Sequence, residues 1–358
     1  MTKSVYDSPT VTGIIRRHLI TVLVDNEPGV LARVVGMFSG RGYNIDSLNV
    51  AEVLKKEHLS RITIVTHGTD EVVDLIRKQL MTIVPVHNVT NLENKIWEEL
   101  YTNLDPLLDQ YASREYLLGV RALPIPKDRF PEFDSISPLI ENSTEWQLIP
   151  VAGFLTEKLF FDLNAKQKFP VTDIIRKSPR FQEKYSGVDI QNDEGFTPEP
   201  DIFHDVQAHV PFLMNKVYAN FLHQVGILGD EILRDERGLG PALVSHNLKR
   251  LQNFAWWTYE FGVMKNSEKT NIFRHRSNDT DYEVYGAGII SSYDETLNVV
   301  QCAKGESDYS QFINFDMEEV VLTRYNGSEM QDRYYVIDSM KDMYQAFQDN
   351  QNLFWFEG

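Results

Sequence analysis

The stretch Phe196-Thr-Pro-Glu-Pro-Asp-Ile-Phe-His-Asp-Val-Gln-Ala-His-Val-Pro211 organises the larger part of this chain. It places two histidines, His204 and His209, behind a rigid, proline-rich entry. Five residues of straight α-helix turn two side chains roughly 140° apart, so a shared ligand requires the helix to bend or end near His209. Pro211 predicts such an end at Val210, because the residue before a proline is pushed out of helical geometry.

A distant carboxylate completes a metal-binding pattern. Glu260 lies within the apolar run Phe254-Ala-Trp-Trp-Thr-Tyr-Glu-Phe261. Burying a carboxylate among aromatic rings costs free energy unless a positive group pairs with it, and a metal ion would do so. Two imidazoles and one carboxylate, with other positions open, are the ligands typical of non-haem iron(II) enzymes that activate oxygen. Taken alone, the histidine spacing is weak evidence for a metal site, and a lone carboxylate is more often ion-paired or hydrogen-bonded than bound to a metal.

Composition narrows the class of protein. The 358 residues are enough for two domains, and 42% hydrophobic with 11% aromatic residues predicts a substantial core. The formal charge of −17 argues against nucleic acid and anionic lipid as partners. The single cysteine, Cys302, excludes a disulfide framework and favours a reducing compartment. With neither a spanning apolar run nor a signal-peptide core among residues 1–17, we expect a soluble, cytoplasmic protein.

Residues 18–90 alternate strand and helix signals in the order βαββαβ, the split ferredoxin-like arrangement. The predicted strands are residues 18–24, 43–53, 59–66 and 83–89. The first helix follows Asp25-Asn-Glu-Pro28 and ends near Gly40, and Thr69 caps the second. The segment 25–46, together with Leu59-Ser-Arg-Ile-Thr-Ile-Val-Thr-His-Gly68, resembles the ACT domain of acetolactate synthase small subunits.

In that family the turn before the first helix binds a regulatory amino acid at a dimer interface. The resemblance therefore implies that Asn26 and Gly29 contact such an effector and that the domain pairs two subunits into a homodimer. A glycine at a helix N-terminus exposes backbone N–H groups, which suits a carboxylate. The alternative is that Gly29 only allows tight packing and the domain only pairs subunits.

The second domain is expected to be mostly α-helical, so the whole chain is of the α+β class. Residues 91–116 predict a connecting helix, and the domains are a flexible tail (1–17), an ACT domain (18–95) and a catalytic domain (96–358). Four prolines between Pro124 and Pro138 predict an irregular stretch that ends at Trp146. A short strand is expected around Tyr334-Tyr335-Val336.

Several ordered segments resemble the pterin-dependent aromatic amino acid hydroxylases, and bacterial phenylalanine hydroxylases most of all. The matching segments are 146–153, 168–176, 197–205, 208–211, 256–262 and 285–292. The resemblance implies iron(II) held by His204, His209 and Glu260, with tetrahydropterin, dioxygen and an aromatic amino acid as reaction partners. Phenylalanine is the leading substrate, and tyrosine and tryptophan are the alternatives.

Other roles follow from the same resemblance, position by position. The substrate contacts it implies are Arg176, Thr197, Trp256, Phe261, Gly288 and Ser291, with the guanidinium of Arg176 gripping the carboxylate. The pterin contacts it implies are Gly153, Leu155, Phe160 and Asp205. Either Phe160 or its neighbour Phe161 is ordinary core, and Trp256 and Trp257 could exchange roles.

The chain departs from the family pattern at a few places. Ala208 replaces a glycine before the second histidine, Gln207 replaces an apolar residue, and Ala255 replaces an aromatic residue. Segments 177–196 and 265–281 look longer than the family pattern, and both are polar, as surface loops are. The two alanines motivate a competing hypothesis, a non-catalytic amino-acid sensor that contacts a partner enzyme through its ACT domain.

Overall fold

The structure is a computed structural model that describes residues 15–54, 58–90, 93–151, 155–172, 201–266, 277–327 and 329–358. The chain divides into two compact units, residues 1–95 and residues 96–358. None of the helices in the described ranges is both long and apolar enough to cross a bilayer.

The amino-terminal unit is a four-stranded antiparallel sheet covered by two helices. Its elements are β1 (Arg16–Asp25), α1 (Val30–Gly40), β2 (Ser47–Leu54), β3 (Leu59–Gly68), α2 (Asp70–Leu80) and β4 (Val86–Thr90). The sheet order is β2-β3-β1-β4, so the predicted ferredoxin-like arrangement is confirmed. Strand β1 begins at Arg16, two residues before the expected start of the domain.

One apolar cluster holds this unit together. Alternate residues of β1 and β3 point inward, among them Ile20, Val22 and Ile64, and they meet Val34 and Phe38 of α1. Helix α2 begins as expected, because the hydroxyl of Thr69 accepts the backbone N–H of Val72. The periodicities of 2.0 and 3.6 residues in the sequence therefore correspond to real strand and helix faces.

The carboxy-terminal unit is mostly helical. Its α-helices are α3 (Glu93–Tyr111), α4 (Arg114–Ala122), α5 (Phe133–Thr144), α6 (Glu157–Ala165), α7 (Lys216–Leu233), α8 (Pro241–Ala255), α9 (Ala287–Ile290), α10 (Tyr293–Ala303), α11 (Met317–Leu322) and α12 (Met340–Asp349). Within the described ranges this unit also contains two π-helices (His204–His209 and Trp256–Glu260) and two 3-10 helices (Val210–Met214 and Gln351–Phe354).

Short strands complete this unit. They are β5 (Gln147–Val151), β6 (Lys168–Thr172), β7 (Val263–Lys265), β8 (Tyr282–Val284), β9 (Gln311–Asn314) and β10 (Arg333–Ile337). Strands β5 and β6 pair in parallel, and the other four form a sheet of order β8-β7-β10-β9. The strand expected around Tyr334 is β10.

The irregular stretch predicted between Pro124 and Trp146 is present over residues 124–132, but the prediction was wrong for the residues that follow. Helix α5 occupies much of this stretch and contains Pro138 in its interior. A proline there removes one backbone hydrogen bond. The helix forms nonetheless and buries Ile136 and Ile140, so tertiary packing outweighs the local preference.

Helices α6 and α7 pack closely because two glycines of α7 face α6. A Cβ added at Gly226 would lie 2.5 Å from the backbone nitrogen of Ala165, and one at Gly229 would lie 2.2 Å from the Phe161 ring. Helix α7 also carries Tyr218, whose hydroxyl lies 3.0 Å from His209 Nδ1.

Candidate metal centre

The first π-helix brings His204 and His209 onto one face. In a π-helix residue i bonds to residue i+5, so side chains five residues apart lie roughly one turn above each other. The bond from Val210 N–H to Asp205 O has this spacing. The predicted exit of Val210 from the helix was wrong, since its φ of −57° and ψ of −40° are helical and it begins a 3-10 helix. The wider helix, rather than a break, aligns the imidazoles.

A second π-helix presents Glu260. It extends α8 by one turn, and Phe261 N–H donates to Trp256 O over 2.8 Å, again with the i+5 spacing. Glu260 is the last residue of this turn, where the chain leaves helical geometry at Phe261. Both candidate ligand segments are thus single turns of π-helix, a feature that is rare in proteins and frequent at functional sites.

The three side chains converge. His204 Nε2 and His209 Nε2 lie 3.1 Å apart. Glu260 Oε2 lies 3.4 Å from His204 Nε2, and Glu260 Oε1 lies 3.1 Å from His209 Nε2. Among the described residues, these three are the group of histidine and acidic side chains that could hold a metal ion. Both histidines are buried and Glu260 is half-buried, so the centre is shielded on most sides.

These distances fit a bound divalent ion. Metal–ligand bonds of about 2.1 Å at right angles separate neighbouring ligand atoms by about 3.0 Å. The three measured separations are close to that value. Two nitrogen lone pairs and a carboxylate directed at one point also repel one another without a cation between them. The donor set is that of an iron(II) centre with open positions.

Two hydroxyl groups orient the imidazoles from behind. Ser291 Oγ lies 2.9 Å from His204 Nδ1, and Tyr218 OH lies 3.0 Å from His209 Nδ1. Burial raises the pKa of the Tyr218 phenol well above its ordinary value, so the hydroxyl stays neutral. A hydroxyl that accepts Nδ1–H keeps the Nε2 lone pair free for a metal ion.

Asp205 faces inward, behind the first histidine. Its Oδ2 accepts the backbone N–H of Thr172, the last residue of β6, over 2.8 Å. Burial is the largest influence on this carboxyl group and raises its pKa to about 7. The bond ties the π-helix to β6, and the predicted contact of Asp205 with a pterin stays a prediction.

An aromatic wall, defined here as Trp256, Phe261 and Gly288, adjoins the centre. The Trp256 and Phe261 rings stack at 4.5 Å between centroids with 29° between their planes. A Cβ at Gly288 would lie 2.6 Å from Phe261 Cζ and 3.0 Å from Glu260 O, so only glycine leaves room for this ring. Trp257 is 2% exposed and belongs to the core, whereas Trp256 is half-buried.

The remaining predicted contacts fall into two groups. Leu155 and Phe160 are half-buried at the start of α6, and the Phe160 ring meets Phe161 edge-on at 5.4 Å. Phe161, at 5% exposed, is the core member of that pair. Arg176, Thr197 and Gly153 lie outside the described residues, and so does segment 177–196.

In the amino-terminal unit, Asn26 and Gly29 are exposed at the start of α1. The side-chain amide of Asn26 donates to Glu52 Oε1 over 3.2 Å. Gly29 is the N-cap of α1 and has a φ of +87°, a conformation that favours glycine. A Cβ there would meet nothing within 4 Å, so backbone conformation rather than tight packing accounts for the glycine.

Two residues of this region carry no signal in the sequence. Tyr218 lies on α7, nine residues beyond His209, and Gln331 lies just before β10 and accepts the indole N–H of Trp256. Neither position belongs to a motif or to a helical periodicity that includes the ligands. Their roles depend on contacts between elements that are distant in sequence, and only the structure shows those contacts.

Comparisons with known proteins agree with this geometry. A family model described as biopterin-dependent aromatic amino acid hydroxylase matches residues 75–353, and one described as AHAS small subunit-like ACT domain matches residues 20–88. The phenylalanine-4-hydroxylase of Vibrio cholerae is 31% identical over 264 residues, which cover 74% of this chain and 77% of that protein. That of Ralstonia nicotianae is 29% identical over 262 residues, which cover 73% and 71%.

A solved structure has a similar fold. The iron- and phenylalanine-bound phenylalanine hydroxylase of Chromobacterium violaceum superimposes with a TM-score of 0.57 at 29% sequence identity. The match covers 73% of this chain and 81% of that one.

Proposed function

Since the chain belongs to the biopterin-dependent aromatic amino acid hydroxylase family, we propose that it hydroxylates phenylalanine to tyrosine with iron(II), tetrahydropterin and dioxygen. Membership of the family makes it a pterin-dependent monooxygenase. The observation that carries the proposal is the convergence of His204, His209 and Glu260 on one point. One atom of dioxygen enters the aromatic ring, and tetrahydropterin supplies the two electrons that reduce the other.

His204, His209 and Glu260 would hold iron(II) and leave other coordination positions open. Iron bound there would supply, together with the pterin, the activation of dioxygen. The contribution of the chain is to fix the ligand atoms. The Ser291 and Tyr218 hydroxyls would accept Nδ1–H and so direct each Nε2 lone pair at the ion, whose charge the carboxylate of Glu260 would offset.

The aromatic wall supports an aromatic amino acid as substrate. The half-buried Trp256 presents apolar ring surface beside Glu260, and the buried Phe261 ring supports it from behind, in the room that the missing side chain of Gly288 leaves. An apolar wall excludes water from the reacting ring carbon. Phenylalanine is the substrate in the names of the bacterial relatives, and we assign it here on that basis together with the apolar wall. Arg176 and Thr197 are proposed to bind its amino acid group.

The pterin is proposed to lie near the start of α6. The half-buried Leu155 and Phe160 offer apolar and aromatic surface there, and Gly153 precedes them in sequence. Asp205, which accepts the backbone N–H of Thr172, is proposed to contact the pterin from the first π-helix. A reducing, cytoplasmic location belongs to the same proposal, since the chain has a single cysteine and its cofactors are easily oxidised.

An assay on anaerobically reconstituted protein tests the function. We expect about one iron per chain and conversion of phenylalanine to tyrosine that requires tetrahydropterin, dioxygen and iron(II). Tyrosine and tryptophan as parallel substrates test the alternative specificities. Iron far below one per chain, together with unchanged rings for all three amino acids, would refute the proposal.

The amino-terminal unit is proposed to pair two chains and to bind an amino acid effector. Strand β2 lies at the sheet edge, and its Leu48 and Val50 are exposed apolar side chains. An exposed edge with apolar side chains is suited to pairing with a second copy. Light scattering on Leu48→Lys and Val50→Lys variants is expected to show monomers, with Leu75→Lys, exposed on α2, as the control.

The effector proposal rests on the exposed α1 N-terminus, Asn26 and Gly29. Calorimetric titration of the full-length protein with aromatic and branched-chain amino acids tests it. Binding that Asn26→Ala weakens supports the site, and equal heats for both proteins contradict it.

The competing sensor hypothesis loses one of its motives. Ala208 is fully buried inside the first π-helix, and the non-glycine residues with positive φ among those described are His58, Glu145, Gln167 and Asp235. The alanine is therefore compatible with the backbone it occupies.

A further inference from the structure

A buried glutamine outside the metal centre holds the tryptophan of the aromatic wall. The indole N–H of Trp256 donates to Gln331 Oε1 over 3.0 Å. Gln331 is 3% exposed and precedes strand β10 by two residues. A buried indole N–H needs such a partner, because an unpaired donor costs free energy.

Gln331 is itself held in place along both its side chain and its backbone. Its Nε2 donates to Asn326 O over 3.1 Å and to Glu329 O over 2.8 Å. Its backbone N–H donates to Glu295 Oε1 over 3.1 Å. Its backbone carbonyl accepts from Asn298 Nδ2 at 3.2 Å and Ser310 Oγ at 3.0 Å.

These partners fix which way the amide of Gln331 points. With Nε2 facing two carbonyl oxygens, Oε1 faces the indole N–H of Trp256. The reversed amide would place an oxygen against two oxygens and an NH2 against an N–H. The acceptor is therefore presented to Trp256 in one orientation.

Stacking alone does not fix Trp256 in this way. The Tyr325 ring lies parallel to the indole at 4.2 Å and 10°, and Phe261 stacks at 4.5 Å and 29°. Stacked rings resist tilting but allow rotation within the ring plane. The hydrogen bond to Gln331 is the directional contact that limits this rotation, because it anchors the Nε1 end of the indole.

We propose that Gln331 is a positioning residue that fixes the indole of Trp256 and thereby sets how strictly the aromatic wall discriminates among aromatic amino acids. The specificity part rests on the proposed function. The positioning part rests on the contacts above and can be tested independently.

Kinetics of Gln331→Met test the specificity part. Methionine keeps the length of the side chain but lacks the acceptor and both donors. We expect KM for phenylalanine to rise about tenfold while kcat changes less than about threefold, the size of one lost buried hydrogen bond. The ratio of kcat/KM for phenylalanine to that for tryptophan should fall about fivefold. Gln345→Met, a change at an exposed glutamine of α12, should leave every value unchanged.

A double-mutant cycle separates positioning from general structure. In the Trp256→Phe background, which has no indole N–H, Gln331→Met should change KM by less than about twofold. An equal effect in both backgrounds would show that Gln331 does not act through Trp256. A lower Tm with unchanged KM and unchanged substrate preference would likewise reduce Gln331 to a structural role. If Gln331→Met does not fold, Gln331→Asn keeps an amide but retracts it from the indole, and the same outcomes apply.

Fluorine NMR decides the positioning part even if the protein hydroxylates no amino acid. Labelling with 5-fluorotryptophan gives five resonances, and Trp256→Phe identifies the one from Trp256. In Gln331→Met and Gln331→Asn we expect that resonance to shift and broaden while the Trp257 resonance stays in place, because Trp257 donates to the backbone carbonyl of Thr323 instead. An unmoved Trp256 resonance would overturn the proposal.

Discussion

The interior of the amino-terminal unit and the interior around the metal centre differ in what holds them together. Between its sheet and helices the first has one apolar cluster of aliphatic and aromatic side chains, and both of its helices are α-helices. The second contains buried histidine, aspartate, glutamine and glutamate side chains, and it is built on two π-helices. The first interior is stabilised mainly by apolar burial. The second gives up part of that stabilisation to keep polar groups in fixed places.

The largest effect is expected from removing a candidate ligand. His209→Ala leaves two ligands, so we expect iron below about 0.1 per chain and at least a hundredfold loss of hydroxylation, beyond the range of an outer partner. His246→Ala, at an exposed histidine of α8, is the control and should retain both. Metal analysis and the tyrosine assay measure the two quantities. Full iron content in His209→Ala would show that His209 is not a ligand of the metal centre.

A glycine-to-alanine substitution should change the free energy of unfolding in opposite directions in the two units. Gly226→Ala places a methyl group 2.5 Å from the Ala165 backbone, so we expect the free energy of unfolding to fall by about 3 kcal/mol. Gly36→Ala, on the exposed face of α1 with nothing within 4 Å, should raise it by about 0.5–1 kcal/mol. Urea unfolding of both full-length variants tests this pair. Equal signs would mean that the contact between α6 and α7 is looser than the structure shows.

The two regions also differ in how far the sequence predicted them. In the amino-terminal unit the alternation of Ile20, Val22 and Val24 and the cap at Thr69 are local signals, and local signals decide regular elements. Around the metal centre the sequence identified the residues that converge, His204, His209 and Glu260, but predicted the wrong backbone. A π-helix differs from an α-helix by one residue per turn, and the contacts that favour it come from other elements.

Buried carboxyl groups make the stability of the carboxy-terminal unit depend on pH. Burial raises the pKa of the fully buried Glu295 from 4.5 to about 7, although Tyr334 and the Gln331 N–H donate to it. Because the folded protein favours the protonated carboxyl, the contribution of Glu295 to stability is fully present below about pH 4.5. This contribution is lost as pH rises through about 7. The loss at about pH 8 amounts to at most about 3 kcal/mol.

Glu295→Gln removes this titration and keeps an oxygen that can accept both bonds. We expect its unfolding free energy to vary less between about pH 5 and pH 8 and to exceed that of the wild type at the upper end. Denaturant titrations across that range measure it, and Glu306→Gln, at an exposed glutamate, is the control. Parallel curves for wild type and Glu295→Gln would contradict the assignment.

Removing a hydroxyl that orients a ligand should weaken metal binding less than removing the ligand itself. Tyr218→Phe keeps the ring that stacks on Phe212 at 5.0 Å but removes the partner of His209 Nδ1. We expect the affinity for iron(II) or cobalt(II) to fall about tenfold to a hundredfold, with the fold intact. Competition with a chelator measures this affinity without any assay of activity. An unchanged affinity would show that the packing around His209 orients the imidazole without the hydroxyl.

The smallest effect is expected at the exposed glycine of the amino-terminal unit. Gly29→Ala meets no atom within 4 Å, so its cost is the strain of an L residue at a φ of +87°, about 1 kcal/mol of unfolding free energy. Gly288→Ala, where a Cβ would press on Phe261, should instead displace the aromatic wall and raise KM for phenylalanine. Thermal unfolding and kinetics on the two variants separate a glycine kept for backbone conformation from one kept for space. A Cβ at Gly29 would point into open space. If Gly29→Ala also abolishes binding of an amino acid effector, the effector occupies that space.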